Sequence, residues 1–207
     1  MWFPLLITIA TAYLLGNING AVCISALMND DVRSHGSGNA GLTNFFRNFG
    51  GKSTFIVLFI DMIKSLLACA VGSLLLKPYD MQLEGALLAG LCVSLGHDFP
   101  ALLGFRGGKG IVCGLSVAIA ADWRVALFLT ALFMIAFFLT HYVSLGSILA
   151  TVGFGVGFCT LYWGNTTVMI LSVAMSALAL YMHRGNIKRL LSGSESKIYL
   201  NKKGKKQ

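Results

Sequence analysis

Charged residues are scarce in this sequence, since Asp, Glu, Lys and Arg make up only 12% of its 207 residues while hydrophobic residues make up 56%. A soluble domain carries about 25% charged residues, so this chain lacks the polar surface that would cover a globule in water. Its apolar residues fall in long runs, which indicates membrane spans rather than one large core. Linkers are lacking too, and we expect one domain over residues 1–197, followed by a basic, disordered cytoplasmic tail over 198–207.

Patterns that would hold a metal or a disulfide are also missing. The five cysteines stand singly in apolar segments, and no C-x-x-C pair occurs, so we interpret them as small packing residues. The four histidines lack metal-site spacing, which predicts no metal. Residues 1–4 lack the basic region of a cleavable signal peptide, so the first apolar run is expected to remain as a membrane anchor.

Motifs for nucleotide cofactors and serine hydrolases fail on their context. Residues 36–41 match G-x-G-x-x-G, but the polar stretch 29–33 stands where a dinucleotide fold requires an apolar strand. Walker A-like fragments at 51–53 and 108–109 lack the first glycine, and no G-x-S-x-G elbow is present. The sequence therefore predicts no cofactor.

Seven apolar segments remain, and they predict an all-α polytopic membrane protein with seven transmembrane helices. The segments lie near residues 3–28, 53–76, 83–103, 110–121, 125–141, 143–163 and 166–183. Most have the ~20 residues that cross ~30 Å of hydrocarbon. The fourth is shorter and covers only ~18 Å as a helix, so a re-entrant half-helix is the alternative there. If the fourth segment crosses, we expect it to start deep, behind a glycine-rich loop that dips into a cavity lined by protein.

Basic residues gather on one side if all seven segments cross. The other side then holds only Lys77 and Arg124. The remaining cations outside the spans are Arg33, Arg47, Lys52, Arg106, Lys109, Arg184, Lys188, Arg189, Lys197, Lys202, Lys203, Lys205 and Lys206. This asymmetry follows the positive-inside rule and predicts an N-terminus outside and a cytoplasmic C-terminus. The net charge of +8 is then explained by topology and by contact with membrane lipids, and we expect no nucleic-acid partner.

Three segments on the predicted cytoplasmic side concentrate glycine, asparagine and basic residues: 33–47, 104–110 and 183–195. Glycine-rich backbone can turn N–H groups towards an anion, and helix N-termini add partial positive charge. Arg47 can bind a phosphate through two hydrogen bonds, and Lys109 supplies a point charge. The pattern predicts a site for two phosphates, or for one phosphate and a developing oxyanion. Turns that simply require glycine are the alternative.

Charged residues inside a predicted span need a separate explanation. Asp61 and Lys64 stand three apart on one helical face, where they can pair. Intramembrane charges indicate a functional cavity by default, and a structural ion pair is an alternative interpretation of equal weight. His97 lies near a helix end and is interpreted as a capping or interfacial residue.

The loops resemble those of the bacterial acyl-phosphate:glycerol-3-phosphate acyltransferase family, PlsY. That family shows G-S-G-N-x-G-x-T-N-x-x-R, found here at 36–47, then G-H-x-F-P at 96–100, F-[KR]-G-G-K-G at 105–110 and H-x-x-N-I-x-R-L-x-x-G-x-E at 183–195. The Asp-x-x-Lys of the second span and Tyr-Val-Ser-Leu at 142–145 also fit. One departure lies at 16–19, where Gly-Asn-Ile-Asn replaces G-S-I-P, so we do not expect the kink that proline would cause.

The resemblance implies a multi-pass enzyme of the bacterial inner membrane with its active site facing the cytoplasm. It would transfer a fatty acyl group from acyl phosphate to glycerol 3-phosphate, giving 1-acylglycerol 3-phosphate and phosphate, the first step of phospholipid synthesis. Acyl carrier protein and CoA would not be direct donors, and the H-x-x-x-x-D signature of the other large acyltransferase class is absent. A transporter for a phosphorylated metabolite is the alternative, although no internal repeat is present.

The site residues follow from the motifs. The resemblance implies catalytic roles for Ser37, Arg47, Lys109, His183 and Asn186. We expect substrate or phosphate binding by Gly36, Gly38, Asn39, Gly41, Thr43, Asn44, Arg106, Gly107, Gly108 and Gly110. Direct transfer is our mechanistic hypothesis, with either His183 or the substrate phosphate as the base. An acyl-enzyme on Ser37 is the rival chemistry.

Overall fold

A computed structural model describes residues 2–199, and this part of the chain is helical and contains no strand. Its helices are α1 (Trp2–Gly16), α2 (Gly20–Leu27), α3 (Leu42–Asn48), α4 (Ser53–Leu76), α5 (Gln82–Asp98), α6 (Ile111–Ala121), α7 (Trp123–Thr140), α8 (Val143–Leu161), α9 (Thr166–Met182) and α10 (Arg184–Leu191). The all-α prediction is therefore confirmed. Most of the predicted tail lies outside the described residues.

Five helical segments among the described residues are long and apolar enough to cross a membrane. They are Trp2–Leu27, Ser53–Tyr79, Gln82–Leu103, Trp123–Thr140 and Val143–Leu161. A sixth candidate is α9 together with α10, which are bent by 58°. Large apolar side chains on these helices are exposed, among them Phe59 and Leu139. A multi-pass membrane protein is thus confirmed, while α6 is too short to be counted as a span.

The shortness of α6 has a structural cause in the loop that precedes it. This loop folds back along α5, because the backbone N–H of Gly108 donates to the carbonyl of His97 at 3.0 Å. His97 in turn contacts Lys64, which lies roughly 16 Å along α4 from its first residue. Since α6 begins near the middle level of α4, its eleven residues extend from there to the far end of the bundle. This geometry agrees with the interpretation of a loop that dips into the protein.

The first apolar segment is interrupted at 17–19 although it lacks the proline of the family pattern. Two asparagines take over the exposed backbone groups there. Asn19 accepts from the N–H of Val22 at 3.0 Å and caps α2, while Asn17 donates to the carbonyl of Tyr13 at the end of α1 at 2.7 Å. The helix is thus interrupted without a proline, because asparagine side chains and Lys64, which donates to the carbonyl of Ile18 at 2.6 Å, satisfy backbone groups at the break.

Glycines let the central helices approach closely. A Cβ atom on Gly72 of α4 would overlap the carbonyl of Gly85 of α5, and one on Gly96 would overlap the carbonyl of Tyr13 of α1. Gly155 packs in the same way on Ser176 of α9. Small residues at helix interfaces are the usual means of close packing in membranes, so this spacing accounts for how α1, α4 and α5 form the centre of the bundle.

Candidate active site

The three glycine-rich segments meet at one end of the bundle. The backbone N–H of Ala40 donates to the carbonyl of Gly107 at 3.2 Å, which joins the first segment to the second. The ammonium of Lys109 donates to Oδ1 of Asn186 at 2.6 Å and joins the second to the third. Helix α6 ends at the opposite end of the molecule, where the hydroxyl of Tyr162 donates to Oδ2 of Asp122. The predicted convergence of the three loops is therefore present.

A cavity of about 440 Å³ lies between these segments. Ten of the fifteen predicted site residues line it: Ser37, Asn39, Gly41, Thr43, Asn44, Arg47, Lys109, Gly110, His183 and Asn186. The other five do not line it: Gly36, Gly38, Arg106, Gly107 and Gly108. Arg106 is exposed, and the four glycines belong to the loops that form the wall.

The first loop is organised around the buried side chain of Asn44. Its Nδ2 lies 3.0 Å from the carbonyls of Val32, His35 and Asn39, and its Oδ1 accepts from the N–H of Ser37 at 3.1 Å. These bonds hold the loop rather than a ligand. Gly36 and Gly38 have φ values of +56° and +70°, which an L side chain rarely adopts. The requirements of a tight turn, rather than contact with a phosphate, therefore explain why glycine stands at these two positions.

The second loop is pressed against the end of α5. A Cβ atom on Gly107 would overlap the carbonyl of His97, and one on Gly108 would overlap its imidazole ring. Glycine is therefore needed here for close approach. The loop ends at Gly110, and the first residues of α6, Ile111 and Val112, line the cavity. The unpaired N–H groups at a helix N-terminus favour an anion at this place.

The third segment presents His183 and α10 to the cavity. His183 is 3% exposed, and its Nδ1 donates to the carbonyl of Ala179 at 2.8 Å, which leaves the lone pair on Nε2. His183 therefore presents a hydrogen-bond acceptor to the cavity.

Glu195 holds α10 in place and was missing from the predicted site residues. Its carboxylate accepts from Asn186 Nδ2 at 3.1 Å and from Arg189 Nε at 2.7 Å. Burial acts to raise the pKa of Glu195, but the hydrogen bonds from Arg189 and Asn186 outweigh it and the pKa is lowered. Because Glu195 closes the last family motif, the resemblance contained the signal for it.

Cations dominate the charge of the cavity. Lys109, Arg47 and Arg189 line it, against the carboxylates of Glu195 and Asp61. Burial, followed by the neighbouring charge of Arg189, lowers the pKa of Lys109 to about 8. An anion bound between these groups would offset their mutual repulsion, so the arrangement suits a phosphate.

Two further features border the cavity and were not predicted as site residues. The hydroxyl of Ser144, in the first turn of α8, is buried, lines the cavity and has no hydrogen-bond partner among the described residues. Residues 194–199 cross the cavity's outer edge, where Arg47 donates to the carbonyl of Ser196 at 3.1 Å and the N–H of Ile198 donates to the carbonyl of His141. Ser144 belongs to the Tyr-Val-Ser-Leu pattern, for which we predicted no role.

A second, mostly apolar cavity of about 110 Å³ adjoins the first. Both cavities are lined by Gly110, Ile111, Leu115 and Phe133. The second extends between α5, α6, α7, α8 and α9 towards side chains such as Phe154 and Met175. It offers space for an apolar chain beside the cationic cavity.

The fold and the site define a helical, multi-pass membrane protein with a cationic cavity at one end and an apolar cavity beside it. The sequence matches the protein-family model described as glycerol-3-phosphate acyltransferase over residues 6–193. A glycerol-3-phosphate acyltransferase of Thermoanaerobacter sp. (strain X514) is 40% identical over 193 residues, which cover 93% of this chain and 94% of the relative. One of Clostridioides difficile (strain 630) is 37% identical and covers 95% of this chain and 96% of the relative.

Solved structures agree with these sequence relatives. The glycerol 3-phosphate form of PlsY, described as an integral membrane glycerol 3-phosphate acyltransferase, superposes with a TM-score of 0.86 at 35% identity and covers 94% of this chain and 96% of that chain. The lysophosphatidic acid form gives a TM-score of 0.83 at 34% identity and covers 94% of this chain and 95% of that chain. This chain belongs to the glycerol-3-phosphate acyltransferase family. The resemblance seen in the motifs is thereby confirmed, and nothing in the comparisons favours a transporter.

Proposed function

We propose that this protein transfers a fatty acyl group from acyl phosphate to glycerol 3-phosphate and forms 1-acylglycerol 3-phosphate and phosphate. The observation that carries the proposal is the cavity in which Arg47, Lys109 and Arg189 surround a space beside the N-terminus of α6, in a chain that belongs to this family. Two anionic reactants fit such a site, since each brings a phosphate group that cations and helix N–H groups bind. Acyl carrier protein and CoA are not direct donors in this proposal.

The chemistry is direct transfer within the cationic cavity. The hydroxyl oxygen of glycerol 3-phosphate attacks the acyl carbonyl carbon and forms the ester bond. The bond from that carbon to the phosphate oxygen then breaks, and phosphate leaves with the electron pair. Lys109 and Arg47 hold phosphate groups and stabilise the charge that develops. Ser37 and Ser144 offer hydroxyl donors at the same cavity.

The attacking hydroxyl must lose its proton, and two bases can take it. His183 offers the lone pair of Nε2, but its ring is 3% exposed, and burial disfavours the charged imidazolium that would form if it took the proton. A phosphate monoester has a second pKa of about 6, and its oxygen accepts the proton without creating a buried cation. We therefore assign the proton to a phosphate oxygen of the substrate and an orienting role to His183 and Asn186.

The acyl chain occupies the second cavity in this proposal. Its walls carry Leu129, Phe133, Phe154 and Met175, and burial of an alkyl chain stabilises binding by ~0.8 kcal/mol per CH₂ group. The shared wall of the two cavities would then place the reacting carbonyl close to Gly110 and Ile111.

We further propose seven membrane crossings, with α6 as the fourth and the N-terminus outside, in the bacterial inner membrane. The cationic cavity then faces the cytoplasm, in accord with the positive-inside distribution of Lys and Arg. Single cysteines introduced at Lys52 and Tyr79 on a cysteine-free background would test this orientation. Labelling of the residue 52 site by a membrane-impermeant thiol reagent in intact cells would contradict it.

The reaction is tested with purified protein in detergent. Palmitoyl phosphate and glycerol 3-phosphate should give 1-palmitoylglycerol 3-phosphate and an equal amount of phosphate, both measured in the same sample. Palmitoyl-CoA and palmitoyl-acyl carrier protein serve as donor controls and should give no product. Intact-mass detection of an acyl adduct on Ser37 would replace direct transfer by an acyl-enzyme. Absence of turnover together with uptake of glycerol 3-phosphate into liposomes would overturn the enzyme proposal.

A further inference from the structure

His97 occupies a buried place between α4 and the second glycine-rich loop. It is 4% exposed and lines the cationic cavity. Its Nδ1 lies 2.8 Å from the ammonium nitrogen of Lys64. The same nitrogen lies 2.8 Å from Oδ1 of Asp61 and 2.6 Å from the carbonyl of Ile18. These contacts give the three protons of the ammonium three close acceptors, of which Nδ1 is one.

This arrangement decides where the imidazole proton resides. An ammonium group donates three hydrogen bonds and accepts none, and the carboxylate of Asp61 beside it favours the charged form. Lys64 therefore donates to Nδ1, which must carry a lone pair. A neutral imidazole with its lone pair on Nδ1 carries its proton on Nε2. Lys64 thus selects the Nε2–H tautomer of His97.

The Nε2 atom makes no side-chain hydrogen bond within residues 2–199 and, unlike the hydroxyl of Ser144, is not fully buried, so it is open to the cavity that His97 lines. Of the ring atoms of His97, Nε2 is the nearest to the place where a side chain on Gly108 would begin. Only glycine at this position leaves the nitrogen uncovered. Because this N–H faces a cavity that suits an anion, an acceptor on a bound ligand can satisfy it.

We propose that His97 is a neutral hydrogen-bond donor to an anionic oxygen of the bound reactants and that Lys64 is the positioning residue that keeps its proton on Nε2. The inference rests on the proposed function for the identity of the reactants, and their shared chemistry is a phosphate oxygen. It also gives the intramembrane pair Asp61 and Lys64 a role in the site, beyond that of a structural ion pair.

The tautomer is tested by nitrogen NMR of protein labelled with ¹⁵N-histidine in detergent, with His97→Gln to assign the signal. We expect a neutral ring with its proton on Nε2, and a change of the Nε2 signal on titration with inorganic phosphate. In Lys64→Met the tautomer preference should be lost. A ring protonated on Nδ1, or an Nε2 signal that does not respond to phosphate, would overturn the proposal. These measurements need no turnover, so failure of the proposed reaction would be recognised separately.

Kinetics then test the donor itself. His97→Leu should lower kcat/KM by about 10²-fold, the scale of a lost transition-state donor. His97→Gln places an amide N–H near the position of Nε2 and should recover activity to within about tenfold of the native protein. Thermal unfolding of both variants shows whether they fold. The matched control is His35→Gln, because His35 is exposed and pairs with Asp30. If the folded Gln variant is as inactive as the Leu variant, His97 does not act as a donor.

Discussion

Lys109 and Asn186 are joined by a hydrogen bond of 2.6 Å although they stand 77 residues apart in the sequence. The bond connects the loop before α6 to the helix α10. Asn186 is itself held by Glu195, so the cation that faces the cavity is positioned through a chain of two hydrogen bonds. An ammonium that is placed in advance costs little reorganisation when charge develops on a substrate.

Replacement of Lys109 should therefore remove most of the activity. We expect Lys109→Met to lower kcat/KM for acyl transfer by about 10²–10³-fold, because a preorganised donor to developing charge is lost. Initial rates of phosphate release measure the effect. Lys52→Met is the matched control, since Lys52 is exposed at the start of α4 and its loss should change the rate less than about twofold. Equal losses in the two variants would show that net charge alone matters.

The pH dependence of the reaction should report the same lysine. Its pKa is lowered by burial from 10.5 to about 8, and the charged form exists below the pKa. We expect kcat/KM, which reflects the free enzyme, to fall as the pH rises through about 8. In Lys109→Arg the residual activity should persist to higher pH, and an unchanged profile would assign the fall to another group.

Glu195 should matter for stability because it binds two residues of α10. We expect Glu195→Gln to lower the free energy of unfolding by ~1.5–3 kcal/mol, the range for hydrogen bonds to a charged group. Since its pKa lies below the ordinary value in the fold, the native contribution is present at neutral pH and is lost as the pH falls through that lowered pKa. Thermal unfolding in detergent measures both effects. The exposed pair of Asp30 and His35 gives the control Asp30→Asn, which should change the melting temperature little.

The helices, and the end of the bundle at which the loops meet, could be predicted from the sequence, because long apolar runs and clustered glycines are local signals. The sequence was not sufficient for the direction of individual side chains. Asn44 carries the same donors as a phosphate-binding residue, yet its amide points into its own loop. Ser144 has no charge to mark it, and only the packing of α8 places it at the cavity. Such roles depend on contacts between distant segments, which no local pattern contains.

The second loop contains a glycine needed for close approach, Gly108, and a glycine with a positive φ, Gly104, and substitution distinguishes their roles. We expect Gly108→Ala to lower activity more than tenfold, because its Cβ would overlap the ring of His97. Gly104 has a φ of +66° but open space around its Cβ position. Gly104→Ala should cost only about 1–2 kcal/mol of backbone strain and leave the rate largely unchanged. Rates and melting temperatures of both variants distinguish a damaged site from a strained turn.

Chain-length preference should follow the size of the second cavity. Gly114 lies on α6 at the wall of this cavity, and a Cβ atom there would meet no atom within 4 Å. Gly114→Leu should therefore fold, since leucine also favours the helix more than glycine does, while its side chain fills space that we assign to the acyl chain.

We expect kcat/KM of Gly114→Leu to fall at least about tenfold for palmitoyl phosphate, since two or more CH₂ groups at ~0.8 kcal/mol each would lose their place. Octanoyl phosphate, whose chain ends earlier, should be used almost as well as by the native protein. The control is Ala120→Leu on the exposed side of the same helix, which should leave both donors unaffected. A cavity filled by leucine cannot hold the longer chain, so kcat/KM for palmitoyl phosphate should fall relative to that for octanoyl phosphate. If Gly114→Leu keeps the native ratio of these two values, the acyl group must lie elsewhere.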